Sequence, residues 1–174
     1  MRQNQCDAGT VQAEQEAILT RASERAAQLE AVASALAAEA LRRQGWVRLI
    51  ARGASMLPAI WPGDELEILG VPPENLRPGD IAVCLVGGRI RIHRVRQVLN
   101  QSLVTQGDNH AQPDPPIAFA EVYGRVEHVR RRGGAAPLRA ERERLPVRIV
   151  RRLLRRSNAL RALALRLRRA VAGA

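Results

Sequence analysis

One serine and one histidine have the side chains and the sequence context that nucleophilic catalysis needs. Ser55 follows Gly53 in a Gly-Ala-Ser-Met sequence, which favours a tight turn that exposes the serine. A serine hydroxyl is a weak nucleophile until a neighbouring base takes its proton. All 28 basic residues are arginine, so that base cannot be lysine. We expect it to be His93, because a strand predicted around this residue would hold the imidazole rigidly.

Two aspartates are candidates for orienting His93. Asp108 lies in a Gly-Asp-Asn sequence and Asp114 follows it, and either carboxylate could accept the second ring N–H, as in a Ser-His-Asp triad. Asp108 could instead be an ordinary turn residue. His110 competes as the base, and a metal held by His93, His110 and Asp108 is a minor alternative. We predict that the protein needs neither a metal nor another cofactor.

Four short sequences, in this order, resemble the conserved boxes of the type I signal peptidases and the related self-cleaving repressor peptidases. The branch they resemble uses histidine as the base, like the archaeal, endoplasmic-reticulum and sporulation-type signal peptidases. The four boxes lie within residues 49–126 and read Gly53-Ala54-Ser55-Met56-Leu57-Pro58 with Pro62-Gly63-Asp64, then Arg77-Pro78-Gly79-Asp80-Ile81, Ile92-His93-Arg94-Val95, and Gly107-Asp108-Asn109 with Asp114.

The resemblance implies a small, mostly antiparallel β catalytic domain that cleaves peptide bonds. A tight turn at 53–55 leaves backbone N–H groups free for an oxyanion, and each such donor stabilises it by roughly 3–4 kcal/mol. By resemblance, one donor is the N–H of Ser55, and Gly53, which has no hydroxyl, contributes through its backbone. Three apolar residues near the nucleophile, Met56, Leu57 and Trp61, either line the substrate pocket by the same resemblance or belong to the core.

The local composition and the pattern of apolar residues predict an α+β chain in four parts. The Ala/Glu/Gln/Arg-rich stretch 10–43 has no glycine or proline and favours a helix, with Thr10 as its cap and Gly45 as its end. Short apolar runs between turn pairs then predict the strands Glu65–Leu69, Ile81–Val86, Arg89–Val98, Ser102–Gln106 and Val122–Val129. The predicted parts are a helical extension at 1–45, a β peptidase-like domain at 46–129, a basic linker at 130–146 and an amphipathic helical tail at 147–174.

The two flanking parts suggest contacts beyond a substrate. The helix at 10–43 is expected to pack on a neighbour or form a homodimer through the stripe Val11, Ile18, Leu29, Val32, Leu36 and Leu41. The formal charge of +11 lies mostly in residues 139–174, which hold 12 arginines and two glutamates. Arginine on one face of 147–171 and leucine on the other fit an anionic membrane surface, or a helix docked on the rest of the chain.

Composition narrows the function classes. Aromatic residues make up only 2%, which argues against a stacking platform for single-stranded nucleic acid, and no specific nucleic acid is expected. No segment has the roughly 20 apolar residues of a membrane span, and acidic residues near the N-terminus exclude a secretory signal. Together with the resemblance of the four boxes, these exclusions lead us to expect a cytoplasmic serine endopeptidase that removes a leader or short segment from a protein precursor. It would be peripheral to the inner membrane face if the tail binds lipid. The alternative is a catalytically silent, peptidase-like scaffold that binds a partner or the membrane.

Overall fold

The computed structural model describes residues 4–131 and 134–137, together with Ala162. These residues form an α+β fold in which a long helix, α1 (Asn4–Gln44), precedes one antiparallel sheet. The strands of this described part are β1 (Trp46–Ile50), β2 (Glu65–Leu69), β3 (Ile81–Val86), β4 (Arg89–Val98), β5 (Ser102–Gln106), β6 (Ile117–Ala118), β7 (Val122–Arg131) and β8 (Gly134–Pro137).

The sheet runs in the order β1-β2-β7-β3-β4-β5-β6, with β8 paired to β7. Four predicted strands coincide with β2, β3, β4 and β5, and the fifth falls within β7. The other three strands lack the signal that sequence reasoning relies on. Strand β1 is apolar at every position but Arg48, so it shows no alternation, and β6 has only two residues.

The sheet continues past the boundary that the sequence predicts at residue 129. Strand β7 extends to Arg131, and β8 pairs with it from His128↔Pro137 to Arg131↔Gly134. Part of the predicted linker at 130–146 is therefore strand. The predicted amphipathic tail at 147–174 lies outside the described residues, apart from Ala162.

Helix α1 begins earlier than predicted and ends where predicted. It starts at Asn4, so Thr10 lies inside the helix and does not cap it. It ends before Gly45, whose φ of +76° is the left-handed conformation that glycine adopts most easily. The Gly45 N–H donates to the carbonyl of Leu41 at 3.0 Å and closes the last turn.

The helix packs on the sheet through a face of small residues near its C-terminal end. Ser34, Ala37, Ala38 and Leu41 are buried there. Of the apolar stripe predicted from the sequence, Leu41 alone is buried among the residues whose burial is described; the exposed members are Ile18, Leu29, Val32 and Leu36. Alanine and serine face the sheet because small side chains let the helix backbone approach it closely.

Two clusters of buried side chains cover opposite faces of the sheet. Alternate residues of β3 point to opposite faces, so Ile81 and Val83 join the cluster that contains Leu41, whereas Ala82 and Cys84 join the other. Burial at roughly 25 cal/mol per Å² of apolar surface makes these clusters the main source of stability.

Both Pro-Gly-Asp sequences form turns that are closed by their own aspartates. Asp64 is buried and accepts from the Trp61 N–H at 2.8 Å, and Asp80 accepts from the Arg77 N–H at 2.9 Å. A carboxylate that bonds a backbone N–H three residues earlier fixes the chain reversal. The two turns thus fix where β2 and β3 begin.

Candidate active site

Ser55 and His93 line the same cleft, between helix α1 and the sheet. The cleft has a volume of about 610 Å³ and is lined by residues of α1, β1 to β4, the connection from β1 to β2 and the loop after β5. Its buried apolar lining includes Met56, Ile60 and Leu66. The two residues that the sequence predicts as nucleophile and base are therefore brought together from separate parts of the chain.

The turn that carries Ser55 is fixed by the loop after β5. Gly53 has a φ of +74°, which turns the chain sharply before the serine. The Asn109 N–H donates to the Ser55 carbonyl at 2.7 Å, and Asn109 Nδ2 donates to the Ala54 carbonyl at 3.2 Å. Because Asn109 is buried, these two bonds hold the turn in one orientation.

This orientation leaves the Ser55 N–H available. A trans peptide group points its N–H and its carbonyl in opposite directions. The Ala54 carbonyl accepts from Asn109, so the N–H of Ser55, in the same peptide group, points away from that loop. Within residues 4–131 and 134–137, neither the Ser55 N–H nor the Gly53 N–H donates a hydrogen bond. Both could therefore serve an oxyanion.

His93 lies in β4 opposite Ala82 of β3 and is 6% exposed. Its Nδ1 is 2.6 Å from Oδ2 of Asp114. An ionised carboxylate can only accept, so Nδ1 carries the proton and Nε2 of the neutral ring is left as an acceptor. This is the tautomer that a general base for a serine requires.

Asp114 is held in place by both its side chain and its backbone. The Thr105 hydroxyl donates to Oδ2 at 2.7 Å, and the Asp114 N–H donates to the Thr105 carbonyl at 2.8 Å. Burial by itself would raise the pKa of Asp114, but the hydrogen bonds from Thr105 and His93, with the nearby charges of His93 and Arg91, outweigh it and lower that pKa below the ordinary value. The carboxylate is thus ionised at neutral pH and can stabilise an imidazolium at His93.

Asp108, the other candidate, has a different partner. Its buried carboxylate accepts from Nε of Arg94 at 2.9 Å and from Nη2 at 2.8 Å, a bidentate pair. Arg94 also donates to the Gly79 carbonyl at 2.7 Å. The geometry therefore brings Asp114, and not Asp108, to Nδ1 of His93, while Asp108 ties the loop after β5 to β4 and to the Pro-Gly-Asp turn before β3.

His110 lies beside the pair and completes a group that could ligate a metal. Its ring packs edge-on against His93, with centroids 5.1 Å apart, and ligand atoms of His93, His110 and Asp114 lie within 4.8 Å of one another. The carboxylate of this group is Asp114, where the sequence suggested Asp108. Two features oppose a cation here: Nδ1 of His93 already bonds Asp114, and Nη1 of Arg91 lies 3.7 Å from Oδ1 of that carboxylate.

The three apolar candidates for substrate contact have different positions. Met56 is buried and lines the cleft. Leu57 has no exposed surface and belongs to the core. Trp61 is half-buried, and it is absent from the cleft lining as far as the described residues define it. Of the three, Met56 is thus the one that a substrate in this cleft would contact.

Cys84 does not compete with Ser55 as a nucleophile. It is buried in β3, and this burial raises the pKa of its thiol to about 12. The reactive form of cysteine is the thiolate, so at neutral pH this side chain remains an inert part of the core.

The sequence-based predictions gave no role to three residues of this site: Thr105, Asn109 and Arg94. The last two lie within the four boxes. Thr105 is the last residue but one of β5 and Asn109 follows a Gly-Asp pair, so each looks like an ordinary strand or turn residue. Arg94 did carry a signal, because a charged residue in the middle of a core strand needs a buried partner. With Asp108 assigned to Arg94, the choice of Asp114 for His93 would have followed.

Comparison with protein-family models and with curated proteins finds no match to this chain. Within the described residues, no helix is long and apolar enough to cross a bilayer.

Proposed function

We propose that the protein is a serine endopeptidase that removes a leader or short segment from a protein precursor. The observation that carries the proposal is the 2.6 Å contact between His93 Nδ1 and Asp114, in a cleft that Ser55 also lines. The resemblance of the four sequence boxes to type I signal peptidases supports the same chemistry. Ser55 is the nucleophile, His93 the general base and Asp114 the residue that orients the base.

In the proposed reaction, Oγ of Ser55 attacks the carbonyl carbon of the substrate peptide, and Nε2 of His93 takes the hydroxyl proton. The imidazolium that forms is stabilised by Asp114. The C–N bond then breaks, and Nε2 returns its proton to the departing amine. A water molecule attacks the resulting ester in the same way, with His93 again taking the proton, and releases the acid with Ser55 restored.

The negative charge on the substrate oxygen is proposed to be bound by the backbone. The N–H of Ser55 and the N–H of Gly53 supply the donors, and the Asn109 hydrogen bonds hold the turn that presents them. Donors fixed before the reaction stabilise the transition state without reorganising during it. The preorganisation is therefore carried by a residue that does not itself contact the reacting atoms.

We propose that this chemistry takes place in the cytoplasm, with the arginine-rich segment 147–171 holding the protein at the inner membrane face. Twelve arginines against two glutamates in 139–174 support attraction to anionic lipid. Co-sedimentation of the full chain with phosphatidylserine vesicles tests this at low and high salt. Absence of binding at low salt would rule out the membrane contact.

A second candidate function is a peptidase-like scaffold that binds a protein partner without hydrolysis. It is favoured by the exposed apolar side chains of α1, among them Ile18, Leu29 and Leu36, which lie free of the sheet. Such residues mark a surface for a partner helix, and a homodimer through 10–43 is one form it can take. On this account Ser55 has no role in the function of the protein in cells.

Mass-spectrometric profiling of protein N-termini in cells that produce either the wild type or Ser55→Ala separates the two candidates. A small set of N-termini found only with the wild type is expected, and it names the substrate and the cleaved bond together. Identical profiles from the two cultures, with both proteins folded and present in equal amount, would support the scaffold instead.

A further inference from the structure

The charged side chains around the cleft are predominantly cationic. Four arginines line it, Arg48, Arg52, Arg89 and Arg91, and the described lining contains one acidic residue, Glu30. A cleft with one sign of charge and apolar walls concentrates its field on whatever enters it. Such a field favours an anionic group over a neutral one.

Three of these arginines have acidic partners within the chain. Arg48 lies 3.0 Å from Glu67, Arg89 lies 3.8 Å from Glu30, and Arg91 lies 3.7 Å from Asp114. Their charges are partly compensated before any substrate binds. Arg91 is the least suited of the three to bind a substrate, because the carboxylate beside it also bonds His93.

Arg52 differs from the other three. It is exposed, it lies on the lip of the cleft, and it precedes the turn that carries Ser55 by one residue. Across residues 4–131 and 134–137, no acidic side chain comes within ion-pair distance of it. A guanidinium in this position is free to bind a carboxylate of the substrate through two parallel hydrogen bonds.

We propose that the cleft selects precursor segments with an aspartate or glutamate close to the cleaved bond, and that Arg52 binds this acidic side chain. The inference rests on the proposed endopeptidase activity and adds the class of substrate to it. The apolar wall with Met56 accepts small or apolar side chains of the substrate, whereas Arg52 at the edge of the cleft binds its acidic side chain. Arg52 is thus a specificity-determining residue that takes no part in the bond-breaking steps.

A binding selection tests the inference independently of hydrolysis. The full chain carrying Ser55→Ala, which cannot cut, is immobilised and exposed to a peptide library made from a digested proteome at about 0.15 M salt, where long-range attraction to the basic tail is screened. Retained peptides are identified by mass spectrometry. We expect enrichment of Asp and Glu, and a loss of about threefold to tenfold in that enrichment when Arg52→Glu is added, since the reversal replaces the attraction of an exposed ion pair by repulsion.

Arg77→Glu provides the matched control. Arg77 is exposed and lies outside the described cleft lining. Its backbone N–H bonds Asp80, but no acidic side chain of the described residues lies within ion-pair distance of its guanidinium. Its reversal therefore changes the net charge by the same amount as that of Arg52. Enrichment that survives Arg77→Glu but falls with Arg52→Glu supports the inference. Equal retention of acidic and neutral peptides, or an equal loss with both reversals, would overturn it.

Cleavage of the library by protein with Ser55 intact is scored separately, so a failure of the endopeptidase proposal is seen as absent cleavage and not as altered binding.

Discussion

Nδ1 of His93 and Oδ2 of Asp114 lie 2.6 Å apart, although 21 positions separate the two residues in the chain. The antiparallel pairing of β4 with β5, which begins at Arg94↔Gln106, brings the end of β5 beside His93. Thr105 then anchors Asp114 through both its hydroxyl and its carbonyl. The contact is therefore built from strand register and one loop, and it leaves Nε2 as the acceptor nitrogen of the neutral His93 ring.

Replacing Asp114 by asparagine should reduce activity far more than stability. An amide in this place can donate to Nδ1, which would move the ring proton to Nε2 and leave no acceptor for the Ser55 hydroxyl. We expect kcat to fall on the order of 10⁴-fold, the size seen when the same change is made in a Ser-His-Asp triad. The rate of cleavage of the substrate found by N-terminal profiling measures it. A loss of less than tenfold would remove Asp114 from the mechanism.

Replacing Asp108 by asparagine should reduce stability more than activity. The change leaves the Arg94 guanidinium, 13% exposed, without its anionic partner. Loss of one member of a buried ion pair costs about 3 kcal/mol or more, so the free energy of unfolding should fall by that amount, as measured by urea denaturation. The exposed Glu74→Gln is the control and should leave stability within about 0.5 kcal/mol of the wild type. A fully stable but inactive Asp108→Asn would contradict the structural role.

Gly107 should tolerate no side chain. A Cβ at this position would lie 2.9 Å from the Ser55 carbonyl oxygen and 3.0 Å from Nδ1 of His110. Because the first of these atoms belongs to the backbone of the nucleophile turn, Gly107→Ala should displace Ser55 and lower kcat/KM by roughly 10- to 100-fold. Circular dichroism should show an unchanged fold. Wild-type kinetics from this variant would mean that the loop after β5 does not set the position of the serine.

Acid should remove the contribution of Asp114 to stability. The pKa of this carboxyl is lowered in the folded protein from its ordinary value of 3.8, against the effect of burial, by the hydrogen bonds from Thr105 and His93. A carboxyl group whose pKa is lowered by folding stabilises the fold at pH values above its ordinary pKa. This stabilisation is lost as the pH falls through the lowered pKa of the folded state. Urea denaturation of the wild type and Asp114→Asn should therefore give different stabilities at pH 7, and this difference should shrink as the pH falls below 3.8 and through the lowered pKa. A difference that stays constant across this range would show that the ionised carboxylate contributes nothing.

Much of this arrangement could be predicted from the sequence because it depends on local patterns. The alternation in Arg89–Val98 predicts β4 and places His93 in it, and Gly45 marks the end of α1. The face of α1 that packs on the sheet could not be predicted in this way. Leucine, isoleucine and valine suggested one stripe, but a close approach to the sheet favours the small residues Ser34, Ala37 and Ala38.

The choice between the two aspartates also depended on information beyond the local pattern. Asp108 and Asp114 lie in one loop, and which of them reaches His93 is decided by the register of β5 and by Arg94. Neighbouring residues of a strand point to opposite faces, so an aspartate bound to Arg94 is held on the face opposite that of His93. The identity of Asp108 as the partner of Arg94 is a long-range contact, and only the folded structure supplies it.

The central claim is that Ser55 is the nucleophile of an endopeptidase, and digestion of a proteome-derived peptide library by the purified full chain tests it most directly. New peptide N-termini, read by mass spectrometry, should appear with the wild type and with Ser23→Ala, a control on the exposed surface of α1. They should be absent with Ser55→Ala, whose melting temperature should match that of the wild type. Cleavage by Ser55→Ala at the wild-type rate, or no cleavage by any of the three proteins, would contradict the account.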